Sequence, residues 1–264
     1  MAHMFSLAGR HALVTGATTP LARALALALA EAGATVSVTT LHNELAEEVQ
    51  ANSILNECWA AAPAAGQAKT LDLTDPAAVD AAVDALEREV GPIDILVNAA
   101  HNANIKPALE ATVEEWRREL DRNVTSVFVA CQAVGRRMVP RGRGRIINLV
   151  SVMHDRGAPN AALYVASQAA VLGLTKSLAI EWGRGEPLEL DRVAVNALGI
   201  GFIDGVAGPQ GDPEINAILQ RYLPLRRLAT PEDVQGAVVY LASELANYVQ
   251  GEMIMVDGGI ANRA

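Results

Sequence analysis

"HALVTGATTPLARALALALAEAGATVSVTT", residues 11–40, reads as a strand, a helix and a second strand. "HALVTGA" (11–17) is a short apolar run without polar alternation, the pattern of a strand covered on both faces. "PLARALALALAEAG" (20–33) has helical period. Pro20 suits its first turn and Gly33 its end. "TVSVTT" (35–40) is the second strand. Two strands joined through a helix pair in parallel, with a right-handed crossover. The helix begins just after Gly16, so its N–H groups and the positive end of its dipole face whatever lies beyond the first strand.

The same alternation continues outward. A helix is expected near 44–60, a third strand at "KTLDL" (69–73), and a helix over 75–91 with Asp75 as N-cap and Pro76 at the first helical position. "IDILVNAA" (93–100) is the fourth strand. A long helix around 112–139, a strand at 145–151, a helix over 161–182 and a strand at 192–198 follow. After an excursion over 201–230 come a helix at 231–243 and a last strand at 252–257. This order predicts an α/β fold: a three-layer, doubly wound (Rossmann-type), mostly parallel sheet with helices on both faces. The length of 264 residues suits one domain. Residues 1–6, with "MAHM", are read as an expression remnant and unstructured start, and 7–264 as the domain. The Gly- and Pro-rich 201–230 stretch is expected to be a lid, because ligands of such sheets bind beyond the carboxyl ends of the strands.

Composition narrows the function. Aromatic residues make up 4% of the chain and hydrophobic residues 51%, so the core is built from Ala, Val, Leu and Ile. The net charge of −9 argues against nucleic acid and anionic membranes as partners. "RRMVPRGRGR" (136–145) reads as a solvated helix end and loop. Cys58 and Cys131 match no metal or redox spacing, and no metal site is expected. No leader and no bilayer-length apolar run stand out, which makes the cytoplasm the expected location.

"TGATTPLA" (15–22), "LDLTD" (71–75), "NAA" (98–100), "DRNVTSVF" (121–128), "GRIINLVSV" (144–152), "YVASQ" (164–168), "VNALGIG" (195–201) and "VQGEMIMVDGG" (249–259) occur in order. Together they resemble the short-chain dehydrogenase/reductase family over about residues 7 to 260. Thr15 and Gly16 match that family's glycine-rich loop, but Pro20 and Ala22 replace its later glycines. Tyr164 follows Ser151 by the family's usual thirteen residues. His101 stands where the family has glycine, Ile200 where it has proline, and Gln168 where it has lysine.

The resemblance implies a nicotinamide cofactor and a small-molecule carbonyl or alcohol substrate. Tyr164 would supply a proton to the substrate oxygen, Ser151 would hold that oxygen, and Asn123 would position a water. Gln168 would hydrogen-bond the nicotinamide ribose in the lysine's place. Being neutral, it cannot lower the tyrosine pKa, so carbonyl reduction is favoured over alcohol oxidation. Lys176 lies about 18 Å further along the helix and offers no rescue. By the same resemblance Gly16, Thr18, Thr19, Leu21, Thr40, Asp72, Leu73, Asn98, Ala99, Ala100, Gly201 and Ile203, with Tyr164 and Gln168, would contact the cofactor. His101, Met153 and His154 would line the substrate pocket. Pro20 removes one N–H donor, which weakens the expected cofactor binding. No acid stands at Thr40, Leu41 or His42 to accept ribose hydroxyls, which inclines the expectation to NADP over NAD. Family members are usually homodimers or homotetramers, built here on the 161–182 helix and the 123–135 face.

Two further readings stay open on the sequence. Pro20, Ala22, His101, Gln168 and Ile200 all fall on the cofactor side, which suits a binding or scaffold protein without redox turnover. Tyr164 and His154 would also suit a lyase or isomerase.

Overall fold

A computed structural model of the chain describes residues 2–62, 66–100, 102–183, 192–205 and 211–262. Seven strands form one parallel sheet: β1 (His11–Thr15), β2 (Thr35–Thr39), β3 (Ala68–Lys69), β4 (Ile95–Asn98), β5 (Gly144–Ser151), β6 (Val193–Ile200) and β7 (Met253–Val256). Their order is β3-β2-β1-β4-β5-β6-β7. The chain runs outward from β1 to one edge, returns, and continues from β4 to the other. The reversal lies between β1 and β4, where doubly wound sheets bind ligands. The helices are α1 (Pro20–Glu31), α2 (Leu45–Ala61), α3 (Pro76–Glu89), α4 (Val113–Leu120), α5 (Ser126–Arg141), α6 (Ala162–Trp182), α7 (Pro213–Tyr222) and α8 (Gln235–Ala242). They divide into two layers with two main cores. One lies under α1, α2 and α8, the other under α3, α5 and α6.

Local chemistry sets the element ends. Thr19 caps α1 by accepting the Ala22 N–H at 3.1 Å, with Pro20 in the first turn. Asp75 caps α3 by accepting from Ala77 and Ala78. Gly142, in the left-handed region at φ 70°, terminates α5.

Several expected elements differ. The third strand is only Ala68–Lys69, not 69–73. The reason is Thr40. Its hydroxyl donates to the Leu71 carbonyl at 3.0 Å and accepts the Leu71 N–H at 2.9 Å, taking both groups that a further rung would use. The expected 112–139 helix is interrupted by a π-helical turn, Asp121–Thr125, between α4 and α5. The 231–243 helix opens as a 3-10 turn, Pro231–Val234, before α8. Ala2–Phe5 form a 3-10 turn where an unstructured start is expected. The excursion carries α7 and a parallel bridge between Ile203 and Ala229, while residues 206–210 of the expected lid lie outside the described residues. By length and mean hydropathy α6 could cross a membrane, against the sequence expectation. Here it packs on β5 and β6, and its buried face holds Val171, Leu172, Leu178 and Ala179.

Candidate active site

At the reversal point, Gly16 leaves β1 at φ 64°, a left-handed conformation that glycine adopts freely. A Cβ at this position would stand 2.7 Å from Ala100 Cα. The loops after β1 and β4 therefore touch, and only glycine fits between them. The α1 N-terminus opens beside this contact. Its first turn holds no acid, and the Leu21 N–H has no acceptor among the described residues. Pro20 removes one donor but leaves this one, and Thr18 and Thr19 stand half-buried alongside. This fits an anionic pyrophosphate.

Other expected cofactor residues are spent inside the protein. Thr40 is fully buried and tied to Leu71, so its hydroxyl is not offered to a ribose. Asn98 is buried as well. It accepts from Thr15 at 3.0 Å and donates to Asn148 at 2.8 Å, binding β1, β4 and β5 together. Only backbone remains at Asn98, Ala99 and Ala100 to meet a ligand. Leu73 is core, and Leu21 contributes its N–H rather than its side chain. Asp72 is exposed, and one carboxylate oxygen holds the Thr74 N–H and hydroxyl in a turn. Gly201 lies where a Cβ would reach 2.7 Å from Asp257 Cα, and Ile203 is buried behind it.

One candidate cofactor-side residue is missed by sequence reasoning. No acid stands at Thr40, Leu41 or His42, yet Glu47, from the first turn of α2, folds back to that point. Its Oε2 accepts the N–H groups of Leu41 and His42 at 2.9 and 2.7 Å. Its Oε1 lies 3.0 Å from His42 Nδ1. The carboxylate thus fills a pair of backbone donors of the kind that hold phosphate. The only sequence signal is an acid at the third position of a helix without a side-chain N-cap.

The residues expected to react, Ser151 and Tyr164, sit at the end of β5 and the start of α6. Tyr164 is 3% exposed and its hydroxyl is hydrogen-bonded to the Ser151 side chain. Burial pushes the Tyr164 pKa well above the usual phenol range. The Ser151 hydrogen bond pulls the other way, and the Glu119 carboxylate adds to the rise. The first turn of α6 favours the phenolate through the helix dipole, but desolvation outweighs it.

Gln168 does not turn toward a ribose. It is 2% exposed, and its Oε1 accepts the Ser151 N–H at 2.9 Å. Its role is to fix the end of β5, and so the serine that faces Tyr164. Asn123 sits in the π-helical turn, which aims its side chain across to the loop after β4. It accepts the Asn102 N–H at 2.9 Å and donates to the Asn102 carbonyl at 2.8 Å, to Glu119 at 3.0 Å and to Ser167 at 2.9 Å. Its side chain is occupied by protein, where the resemblance implies a water. Glu119 also accepts from the Asn102 side chain at 2.7 Å, and burial raises its pKa. Met153 packs with Val152, Ala161 and Tyr164. His154 Nδ1 lies 3.1 Å from the Ser151 carbonyl, and His101 lies outside the described residues. Cys58 and Cys131 are buried thiols pushed up to about 12 by desolvation. Among the described residues no His, Cys, Asp and Glu side chains cluster as metal ligands.

A family model described as enoyl-(acyl carrier protein) reductase matches residues 16–261. The chain is 36% identical to gluconate 5-dehydrogenase of Gluconobacter oxydans, over 97% of this chain and 96% of that protein. The solved gluconate 5-dehydrogenase of Burkholderia cenocepacia, in complex with NADP and tartrate, superposes with a TM-score of 0.88 at 31% identity, covering 100% of this chain and 99% of that one. A short-chain type dehydrogenase/reductase from Mycobacterium marinum superposes with a TM-score of 0.83 at 32% identity, covering 98% of this chain and 97% of that one.

Proposed function

The chain belongs to the short-chain dehydrogenase/reductase family, and from that premise we propose that it reduces a ketone to an alcohol with Tyr164 as the proton donor. It is an oxidoreductase of CH–OH and C=O groups with a nicotinamide dinucleotide as cofactor. The loop at Gly16, the Leu21 N–H and the backbone after β4 would hold the dinucleotide. When bound in reduced form, it supplies the hydride that the carbonyl carbon gains. Ser151 holds the carbonyl oxygen. Tyr164 passes its proton to that oxygen as the double bond becomes C–OH, and solvent returns the proton. Residues around α7 would cover the site.

The observation that carries this direction is the buried Tyr164 hydroxyl against Ser151, with a neutral glutamine one turn along the helix where a cation would lower the phenol pKa. A phenol held above its usual range stays protonated near neutrality, so its proton is there for a developing alkoxide even though it is a weaker acid, and it is not available as a base. The binding-only reading rested on clustered departures around the cofactor. Two of these, Pro20 and Gln168, have structural roles that leave the Leu21 N–H and the Ser151–Tyr164 pair in place. NADP and NAD share the pyrophosphate that the loop at Gly16 would hold; a 2′-phosphate would compete with Glu47 for the Leu41 and His42 N–H groups if it reached them. Phe128 and Ile180, 44% and 61% exposed on α5 and α6, support pairing with a second copy.

The test is Tyr164→Phe. Ketone reduction should fall by about 10²- to 10⁴-fold, the usual contribution of a positioned proton donor. Dinucleotide affinity should hold, and unchanged turnover would remove Tyr164 from the chemistry.

A further inference from the structure

Beyond the Ser151–Tyr164 pair lies a cavity of about 330 Å³. Val152 and Met153, which follow Ser151 directly, form one wall. Phe202, after β6, and Ile260 contribute others, and Ile218 and Tyr222 project from α7. Val152, Met153, Phe202 and Ile260 also pack in one cluster with Tyr164, so the cavity wall is contiguous with the packing around that residue. Arg156 is its single charged residue, and one of its N–H groups already donates to the Ile260 carbonyl at 3.1 Å.

The α7 helix is built for this wall. Asp212 caps it by accepting from Glu214 and Ile215, and Pro213 fixes its first turn. None of its residues is buried, although Ile218 and Tyr222, four apart on one face, are 52% and 58% exposed. A helix of this amphipathic kind covers apolar surface. Here that surface is the cavity, so apolar area on both sides stays open to a ligand.

Resting on the reading of Ser151 and Tyr164 as the reacting pair, we propose that the substrate is a compact hydrophobic ketone, of the alkyl aryl class, and not a sugar acid of the kind for which the relatives are named. A polyol carries a hydroxyl on nearly every carbon. Among the described residues the wall offers them only Arg156 and the Tyr222 hydroxyl as side-chain partners, too few for a hydroxyl on nearly every carbon, and a hydroxyl stripped of water and left unpaired disfavours binding. An aryl or alkyl body covers the same wall at a gain. The volume lies at the small end of ligand pockets, which suits a single ring and not an acyl chain on a carrier protein.

The experiment compares acetophenone with 5-keto-D-gluconate, each with NADPH and NADH, and follows binding of 1-phenylethanol and D-gluconate by saturation-transfer NMR. Acetophenone should exceed the sugar acid in kcat/KM by about 100-fold or more, as expected when a hydrophobic pocket meets a polyol. Ile218→Asp, on an exposed helix face where folding tolerates it, should raise KM for acetophenone about tenfold with a smaller change in kcat. A preference for 5-keto-D-gluconate would overturn the substrate class and leave the reductase reading intact. No turnover of either ketone, with saturable phenylethanol binding lost in Ile218→Asp, would remove the reductase reading and keep the ligand class. Absence of phenylethanol binding together with absence of acetophenone turnover would overturn the proposal.

Discussion

Around β1, β2 and β4, the polar side chains at the strand ends point into the protein. Thr40 closes the short third strand, and Asn98 ties three strands together. What faces the ligand there is backbone: a glycine turn, a helix N-terminus and the N–H pair held by Glu47. Around β5 and α6 the reverse holds. Backbone is anchored inward, with the Ser151 N–H given to Gln168, and it is two side-chain hydroxyls, Ser151 and Tyr164, that come together there. Backbone donors suit a charged, extended cofactor that needs many weak contacts. Two side-chain hydroxyls suit one reacting oxygen. The comparison predicts that changes in the first region act on affinity, and changes in the second on rate and pH dependence.

The largest effect on the first region should come from Gly16→Val. A β-branched residue at φ 64° is strained, and its Cβ would meet backbone at 2.7 Å. Separating the loops after β1 and β4 should lower dinucleotide affinity by more than about tenfold and cost roughly 1–3 kcal/mol of stability. Calorimetric titration and a melting curve check both. Unchanged affinity would place the dinucleotide elsewhere.

Gln168→Lys sharpens the second region. Lysine has no acceptor, so the buried Ser151 N–H loses its partner, at about 1–3 kcal/mol. The midpoint of thermal unfolding should fall by roughly 2–4 °C for each kcal/mol. A cation one turn from Tyr164 should also lower the phenol's pKa. Alcohol oxidation at pH 8 should then rise about tenfold per unit of that shift. In the unaltered protein oxidation should keep rising with pH to at least pH 10, while reduction stays flat, because the folded-state phenol titrates above its usual range. A melting-point loss without a shift of the oxidation profile would mean that the buried lysine stays neutral.

The sheet was legible because apolar runs and helical stretches alternate, and the Ser151 and Tyr164 side chains, thirteen residues apart in sequence, meet in the structure. Side-chain direction was not legible. Gln168 lies one helical turn from Tyr164, and sequence alone places it equally toward a ribose or toward β5. The orphan N–H at the end of β5 decides. The resemblance implies ligand contacts at Thr40 and Asn98, but neighbouring strands claim their polar atoms first. The π-helical turn at Asp121–Thr125 adds one residue to a hydrogen-bond ring and leaves the hydrophobic period nearly unchanged.

Glu47 is hidden for a related reason: an acid for the end of β2 is expected at Thr40, Leu41 or His42, and it arrives from the next helix. Its effect should be the smallest of these and the most selective. A carboxylate on the Leu41 and His42 N–H groups occupies donors that suit a 2′-phosphate and repels that phosphate, whereas ribose hydroxyls can donate to it. Two like charges at contact distance in water oppose each other by about 1 kcal/mol, roughly a fivefold change in affinity. Glu47→Ala should therefore tighten NADPH about fivefold and weaken NADH by a similar or smaller factor. Titration of both cofactors against both proteins measures the ratio directly. Equal changes for the two cofactors would reduce Glu47 to a fastener of the loop after β2. A selective gain for NADPH would show that this backbone-lined half of the site carries one side chain that discriminates, supplied by the element after the strand.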